Sequence, residues 1–141
     1  MILEQLQPPV YLVSACLFGF RTRYDGRVVE SGACRQAVGA GIWIPFCPEQ
    51  LGGLATPRPA ADLHSGDGMA VLDGRAQVVT RAGKDVTEFF LAGARQVLQL
   101  ASSQPISAVF LKARSPSCGL TPLLGVTAAL LARHGFVLRE F

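Results

Sequence analysis

The sequence predicts an α/β fold: one three-layer domain spanning residues 1–141, with a mostly parallel, doubly wound, Rossmann-like sheet and a small β-hairpin. Short apolar runs alternate with segments of helical period, the pattern of strands joined by crossover helices. Cys16, Cys47 and Cys118 all follow such runs, as expected of functional groups gathered at the carboxyl edge of a parallel sheet. The chain is also 50% hydrophobic and only 16% charged, enough apolar material for a sizeable core.

Tyr11 to Ala15 is an apolar run, and the polar, turn-rich stretch Gly19 to Gly26 follows, so a buried strand runs into a loop with Cys16 at its carboxyl end. Ser31 to Val38 suits a short helix. Ile42 to Phe46 is a second strand, broken near its end by Pro45 and closed by Cys47-Pro48. From Leu51 to Gly68, prolines and glycines recur without periodicity, which reads as a long ordered loop of the functional kind. Met69 to Leu72, Asp73-Gly74 and Arg75 to Thr80 make the hairpin, since Asp-Gly accepts the positive φ angles of a tight turn.

Asp85 can cap a helix with Glu88 in its first turn, and Val86, Phe89, Phe90, Gly93, Val97 and Leu100 then share one face. Ile106 to Leu111 is a third strand, leading through Lys112 to Ser117 into Cys118-Gly119. Leu123 to Arg133 forms a helix ended by His134-Gly135, and Phe136 to Leu138 supplies the last strand.

Several function classes fall away at this level. No apolar segment approaches the roughly 20 residues needed to span a bilayer. Residues 1–10 carry Glu4 and Pro8-Pro9, without the basic start and apolar run of a secretory signal, so a soluble, cytoplasmic protein is expected. The net charge of +3 is scattered along the chain and marks no dedicated nucleic-acid groove. Gly66 and Gly68 do not open a helix after a strand, and Gly83-Lys84 lacks phosphate-loop spacing, which leaves no nucleoside triphosphate site.

The 4 cysteines are better read as metal ligands or catalytic groups than as disulfides, because so apolar a core needs no staples and a reducing compartment keeps thiols free. No C-x-x-C pair of a structural zinc finger is present. The candidate ligands are single cysteines distant in sequence, and a set of three leaves one metal position open for substrate or water. Their competing role is that of inert buried thiols, against which the turn-forming, polar surroundings Cys47-Pro48-Glu49 and Ser115-Pro116-Ser117-Cys118-Gly119 weigh. Cys34 falls in a predicted helix and stands outside the set.

Glu49 suits a general acid or base, or else a solvated loop carboxylate. Ser115 and Ser117 either position substrate or water, or cap the turn into the next helix. Lys112 and Arg114 are suited to an anionic group, and Asp25 and Asp67 to hydrogen bonds with a heterocycle or ribose; each also reads as an ordinary surface charge. His64 and His134 have sufficient structural roles and are left out.

Taken together, Val13-Ser14-Ala15-Cys16-Leu17, Arg23-Tyr24-Asp25-Gly26, the stretch from Pro45 to Arg58 with Cys47-Pro48-Glu49 and Leu51-Gly52-Gly53-Leu54, Gly66-Asp67-Gly68, Gly83-Lys84-Asp85-Val86-Thr87, Leu111-Lys112 with Arg114 to Gly119, and Gly125 to Leu131 resemble the thiouracil desulfidase family, also catalogued as domain of unknown function 523. The resemblance implies a 4Fe-4S cluster held by Cys16, Cys47 and Cys118, with a free iron for the thiocarbonyl sulfur of a thiolated pyrimidine. By the same analogy Glu49 and Ser115 are catalytic or substrate-positioning groups, while Asp25, Asp67, Lys112 and Ser117 stand as candidate substrate contacts on their residue chemistry alone. The implied reaction is hydrolytic and non-redox: water delivered by Glu49 attacks the ring carbon and sulfide is released.

Only Leu120 to Leu124 separates Gly119 from Gly125, shorter than the glycine-rich loop usual in that family. The shortening makes room for a larger substrate, such as a thionucleoside or a thiolated tRNA base. The rival reading is a non-catalytic iron-sulfur or zinc module for redox sensing or sulfur delivery. A third is a metal-free nucleotide-binding protein with inert cysteines.

Overall fold

The computed structural model describes residues 7–141, so the reading of residues 1–10 as free of an export signal falls partly outside the described residues. In chain order the elements are β1 (Val10–Ser14), α1 (Gly32–Val38), β2 (Ile42–Phe46), α2 (Pro48–Leu51), β3 (Ala61–His64), α3 (Gly68–Leu72), β4 (Gln77–Thr80), α4 (Thr87–Ser102), β5 (Ala108–Leu111), α5 (Val126–Arg133) and β6 (Leu138–Glu140). A short 3-10 turn, Ala15–Leu17, carries the chain out of β1.

The main sheet has the order β2-β1-β5-β6. All its pairings are parallel, with Leu12 opposite both Ile44 and Val109, and Val109 opposite Leu138. Side chains alternate across it. Leu12, Val109 and Leu111 face α4 and α5, where they pack with Val97, Ala101, Ala128 and Leu131. Val13, Ala108 and Phe110 face the other way, onto Leu17 and onto Cys34 and Val38 of α1. Burial on both faces explains why β5 reads as an unbroken apolar run with every residue buried. Helices on both sides make three layers, as the sequence predicts.

The topology fixes where a site forms. Strand β1 is followed by a crossover on the α1 face, and its neighbour β5 by a crossover on the α5 face. Their outgoing loops part at the carboxyl ends of the two strands and leave a crevice between them.

The segment between β2 and α4 departs from the sequence reading. Residues 51–68 are not one long loop, because Ala61–His64 forms β3. The strand paired with Gln77–Thr80 is therefore β3, antiparallel, and Met69–Leu72 is not a strand but lies in α3. Local chemistry accounts for this. Asp67 caps α3, its side chain accepting a hydrogen bond from the Ala70 amide, and Ala70 and Val71 turn inward. Asp73-Gly74 ends that helix, with Gly74 at φ 78° and its amide bonded to the Val71 carbonyl, so the pair serves as a helix stop instead of a hairpin turn. The β3–α3–β4 unit packs through Ala70, Val71, Ala76 and Val78 on Phe90, Ala94 and Val126.

Other boundaries shift by up to three residues. Asp85 accepts from the Thr87 amide, and α4 begins at Thr87. The predicted helix from Leu123 starts at Val126, behind Gly125. Ser31 caps α1 through the Cys34 amide.

Two close backbone approaches tie the site-bearing segments to the helices. A Cβ at Gly93 of α4 would run into the Pro48 carbonyl, and one at Gly52 into the Phe89 carbonyl, so α2 lies against α4 with no side chain between them. A Cβ at Gly125 would come within 2.5 Å of the Ser117 carbonyl, and one at Gly68 would strike the Gly125 carbonyl. Replacing Gly93 with Ala must push α2 outward. We expect Gly93→Ala to destabilise the protein by about 1–3 kcal/mol in urea unfolding.

Candidate functional site

Cys16, Cys47 and Cys118 all line one cavity of about 340 Å³ at the carboxyl edge of the main sheet. Each arrives there for a local reason. Cys16 sits in the 3-10 turn that ends β1. Cys47 is the residue before α2, held extended at φ −136° while Pro48 starts the helix. Cys118 follows the turn after β5, where the Pro116 and Ser117 carbonyls accept from the Val126, Thr127 and Ala128 amides at the head of α5. The fourth cysteine, Cys34, is buried on the opposite side of the sheet against Val13 and Leu17.

All four thiols are free, and Cys16, Cys47 and Cys118 lie within electrostatic reach of one another. Burial pushes the Cys118 thiol up to about 12, a hydrogen bond from Ser14 opposes the rise, and the neighbouring Cys16 and Cys47 add to it. Burial likewise raises Cys16, opposed by Lys112 and Arg23, and raises Cys47, opposed by the Gln50 amide and Arg58. Among the described residues no three His, Cys, Asp or Glu side chains already converge as a metal cage. Three sulfurs from three separate segments of the chain nonetheless line the cavity, and sulfur is the donor type that soft metals take.

Glu49 stands beside them in the first turn of α2 and is anything but a solvated loop carboxylate. Its Oε1 accepts from Arg58 Nε at 2.8 Å, with only 6% of the Arg58 and 13% of the Glu49 side chain exposed. Its Oε2 accepts from the Ser117 hydroxyl at 2.9 Å. Ser115 Oγ lies 3.0 Å from Ser117 Oγ and accepts from the Ser117 and Cys118 amides. Those two amides fill the acceptor capacity of Ser115, so its hydroxyl donates to Ser117, and Ser117 in turn donates to Glu49. The serines and the carboxylate thus form one directed chain, with Ser117 the member in direct contact with Glu49.

Lys112 and Arg114 both line the cavity, Arg114 in the left-handed region at φ 65° immediately before Ser115. Lys112 also donates its backbone amide to Ser14 Oγ, which joins β1 to the turn after β5. The other predicted substrate contacts lie apart from the lining. Asp25 stands behind it, paired with Arg23 at 3.3 Å and accepting from the Arg27 amide, and these bonds hold its carboxyl below the usual range. Asp67 is the cap of α3 and is likewise not part of the cavity wall.

Arg58, Arg23, Arg81, Thr22 and Ser14 line the cavity without having been singled out from sequence. Arg58 ends the motif stretch from Pro45, but nothing in its neighbours in sequence announces that it will reach Glu49.

The family model described as 2-thiouracil desulfurase matches residues 11–140. The uncharacterized protein YbbK of Bacillus subtilis (strain 168) is 42% identical over 137 residues, covering 89% of this chain and 91% of that protein. A solved structure titled as the 4Fe-4S-dependent thiouracil desulfidase TudS superposes with a TM-score of 0.76 at 39% identity, covering 94% of this chain and 90% of that one.

The thiol environments carry a stability prediction. The Cys34 and Cys118 thiols hold their protons more tightly folded, at about 11 and about 12, than unfolded, at 9.0. Their contribution is therefore complete below pH 9.0 and is lost as pH rises toward those folded values. Metal-free protein should unfold at progressively lower urea concentration as pH is raised above about 9, and Cys34→Ala should flatten that trend.

Proposed function

Because this chain belongs to the 2-thiouracil desulfurase family, we propose that it is a 4Fe-4S-dependent desulfidase that replaces the thiocarbonyl sulfur of a thiolated pyrimidine with oxygen and releases sulfide. The single observation that carries the reading is that Cys16, Cys47 and Cys118 line one cavity with a half-buried carboxylate, Glu49, hydrogen-bonded on both oxygens. A passive sulfur carrier or redox sensor has no use for such a carboxylate.

The residues fit the cofactor. Three thiols that follow β1, β2 and β5 supply soft donors, and the remaining cysteine packs against Val13 and Leu17 outside the cavity lining, which leaves the set at three. Bound there, a 4Fe-4S cluster with one iron free of protein ligands would supply a Lewis acid for the thiocarbonyl sulfur.

The chain's own groups do the rest. Glu49 Oε1 is fixed by Arg58 and Oε2 by Ser117, so the carboxylate is oriented before substrate arrives and keeps further lone pairs for a water molecule. It takes a proton from that water as the oxygen attacks the ring carbon. The C=S bond becomes C=O, one water is consumed, sulfide leaves, and no electron is gained or lost. Ser115 holds the turn that carries Ser117 and Cys118, through its bonds to both amides.

Lys112, Arg114, Arg23 and Arg81 line the same cavity and favour an anionic or ribose-bearing substrate beyond the bare base. The proposed range therefore includes thionucleosides and a thiolated tRNA base.

Protein reconstituted anaerobically with iron and sulfide should release sulfide and uracil from 2-thiouracil, with no added reductant. Absence of turnover on every thiolated base, nucleoside and tRNA tried, by a protein carrying its full complement of iron and sulfide, would sink the proposal. Cys16→Ala, Cys47→Ala and Cys118→Ala should each lose the visible cluster absorption, and Cys34→Ala should keep it. Glu49→Gln should keep the cluster while lowering kcat by roughly 100- to 10,000-fold, the span typical of a general base.

A further inference from the structure

The geometry points to Arg58 as the positioning residue of this site: a guanidinium that contacts no substrate and aims the Glu49 carboxylate by clamping three segments of chain around it. The inference rests on the desulfidase reading for its kinetic consequences, though the clamp itself is a matter of hydrogen bonds.

An arginine has five N–H donors in a rigid planar fork. In Arg58 every one is engaged. Nε donates to Glu49 Oε1 at 2.8 Å. Nη1 donates to Thr56 Oγ1 at 2.7 Å and to the Ala55 carbonyl at 3.2 Å. Nη2 donates to the Thr22 carbonyl at 2.8 Å and reaches Cys47 Sγ at 3.9 Å. None remains for a substrate anion, although the side chain borders the cavity.

The partners come from different parts of the chain. Thr22 lies in the loop after Cys16, Cys47 and Glu49 flank the start of α2, and Ala55 and Thr56 lie beyond its end. The Arg58 amide also donates to the Tyr24 carbonyl at 2.8 Å, so backbone and side chain grip the same loop. Cys47 Sγ contacts the Thr22 carbonyl at 3.7 Å, closing the ring of contacts. Removing the guanidinium leaves Glu49 held on one oxygen only, by Ser117. Lysine cannot replace it, because a single ammonium with three donors does not span these acceptors.

The test compares wild type with Arg58→Ala and Arg58→Lys after anaerobic reconstitution, measuring iron and sulfide content, visible absorption, and kcat and KM for 2-thiouracil per cluster. Both variants should load the cluster as wild type does. Arg58→Ala should lose about 100-fold in kcat with KM within about threefold, as a misplaced catalytic group does. Millimolar guanidinium, far below the molar range that denatures, should restore at least about tenfold of that loss. Arg58→Lys should remain about tenfold or more impaired. A raised KM with unchanged kcat would make Arg58 a substrate contact and overturn the assignment. So would a loss confined to cluster content with normal turnover per cluster.

Should wild-type protein release no sulfide, the desulfidase reading fails by itself and the metal-free proteins decide the role of Arg58. Guanidinium should raise the melting temperature of metal-free Arg58→Ala, leave wild type unmoved, and raise that of Arg58→Ala/Glu49→Gln less. Equal shifts in the single and double variants, or none in either, would overturn it.

Discussion

Arg58 and Glu49 bring opposite full charges together in a place where 6% and 13% of their side-chain surfaces reach solvent. Burying such a pair costs several kcal/mol per ion in lost hydration, and attraction repays that only when the remaining donors and acceptors are also satisfied. The surrounding chain meets this demand. The Thr22 and Ala55 carbonyls, the Thr56 hydroxyl and the Ser117 hydroxyl each turn toward the pair. Four stretches distant in sequence are thereby bound to one conformation. The loop leaving β1, the start and end of α2 and the turn leaving β5 cannot move independently without exposing a buried charge.

The scaffold makes that convergence affordable by fixing the backbone first. Adjacent parallel strands with crossovers on opposite faces open a crevice at their carboxyl ends. Bare backbone contacts at Gly93 and Gly125 then set how near α2 and the Cys118 turn stand to the helices behind them. The β3–α3–β4 unit adds Ala60, Ala61, Asp62 and Arg81 to the wall, so the cavity is enclosed by a second, smaller sheet as well as by strand ends.

Function follows from the mixture of donors in that space. Sulfur ligands select a soft metal centre and would serve a carrier as well as a catalyst. A carboxylate fixed on both oxygens next to them adds the capacity to move a proton, and a directed hydroxyl chain keeps its orientation constant. These features suit the proposed non-redox exchange of sulfur for oxygen, and the family to which the chain belongs is described as 2-thiouracil desulfurase.

The sequence by itself determined the α/β class, the apolar strands, the placement of Cys16, Cys47 and Cys118 after them, and the helical position of Cys34, since each follows from local periodicity or from motif stretches. It read Met69–Leu72 as a strand because an Asp-Gly pair stops a helix and turns a hairpin equally well, and only the packing of Ala70 and Val71 on α4 and α5 chose between them. Glu49 was legible as a candidate base but not as a buried ion. Its partner Arg58 lies beyond α2, and the contact exists only because Gly52 and Gly93 let α2 settle on α4 while the loop after β1 folds over it. Asp25 and Asp67 drew notice as hydrogen-bond partners for a heterocycle or ribose, yet neither lines the cavity: one is paired with Arg23, the other caps α3. Residue type and short-range spacing fix which chemistry is available, while hydrogen-bond saturation of buried charge, a property of the whole tertiary arrangement, decides which side chains carry it.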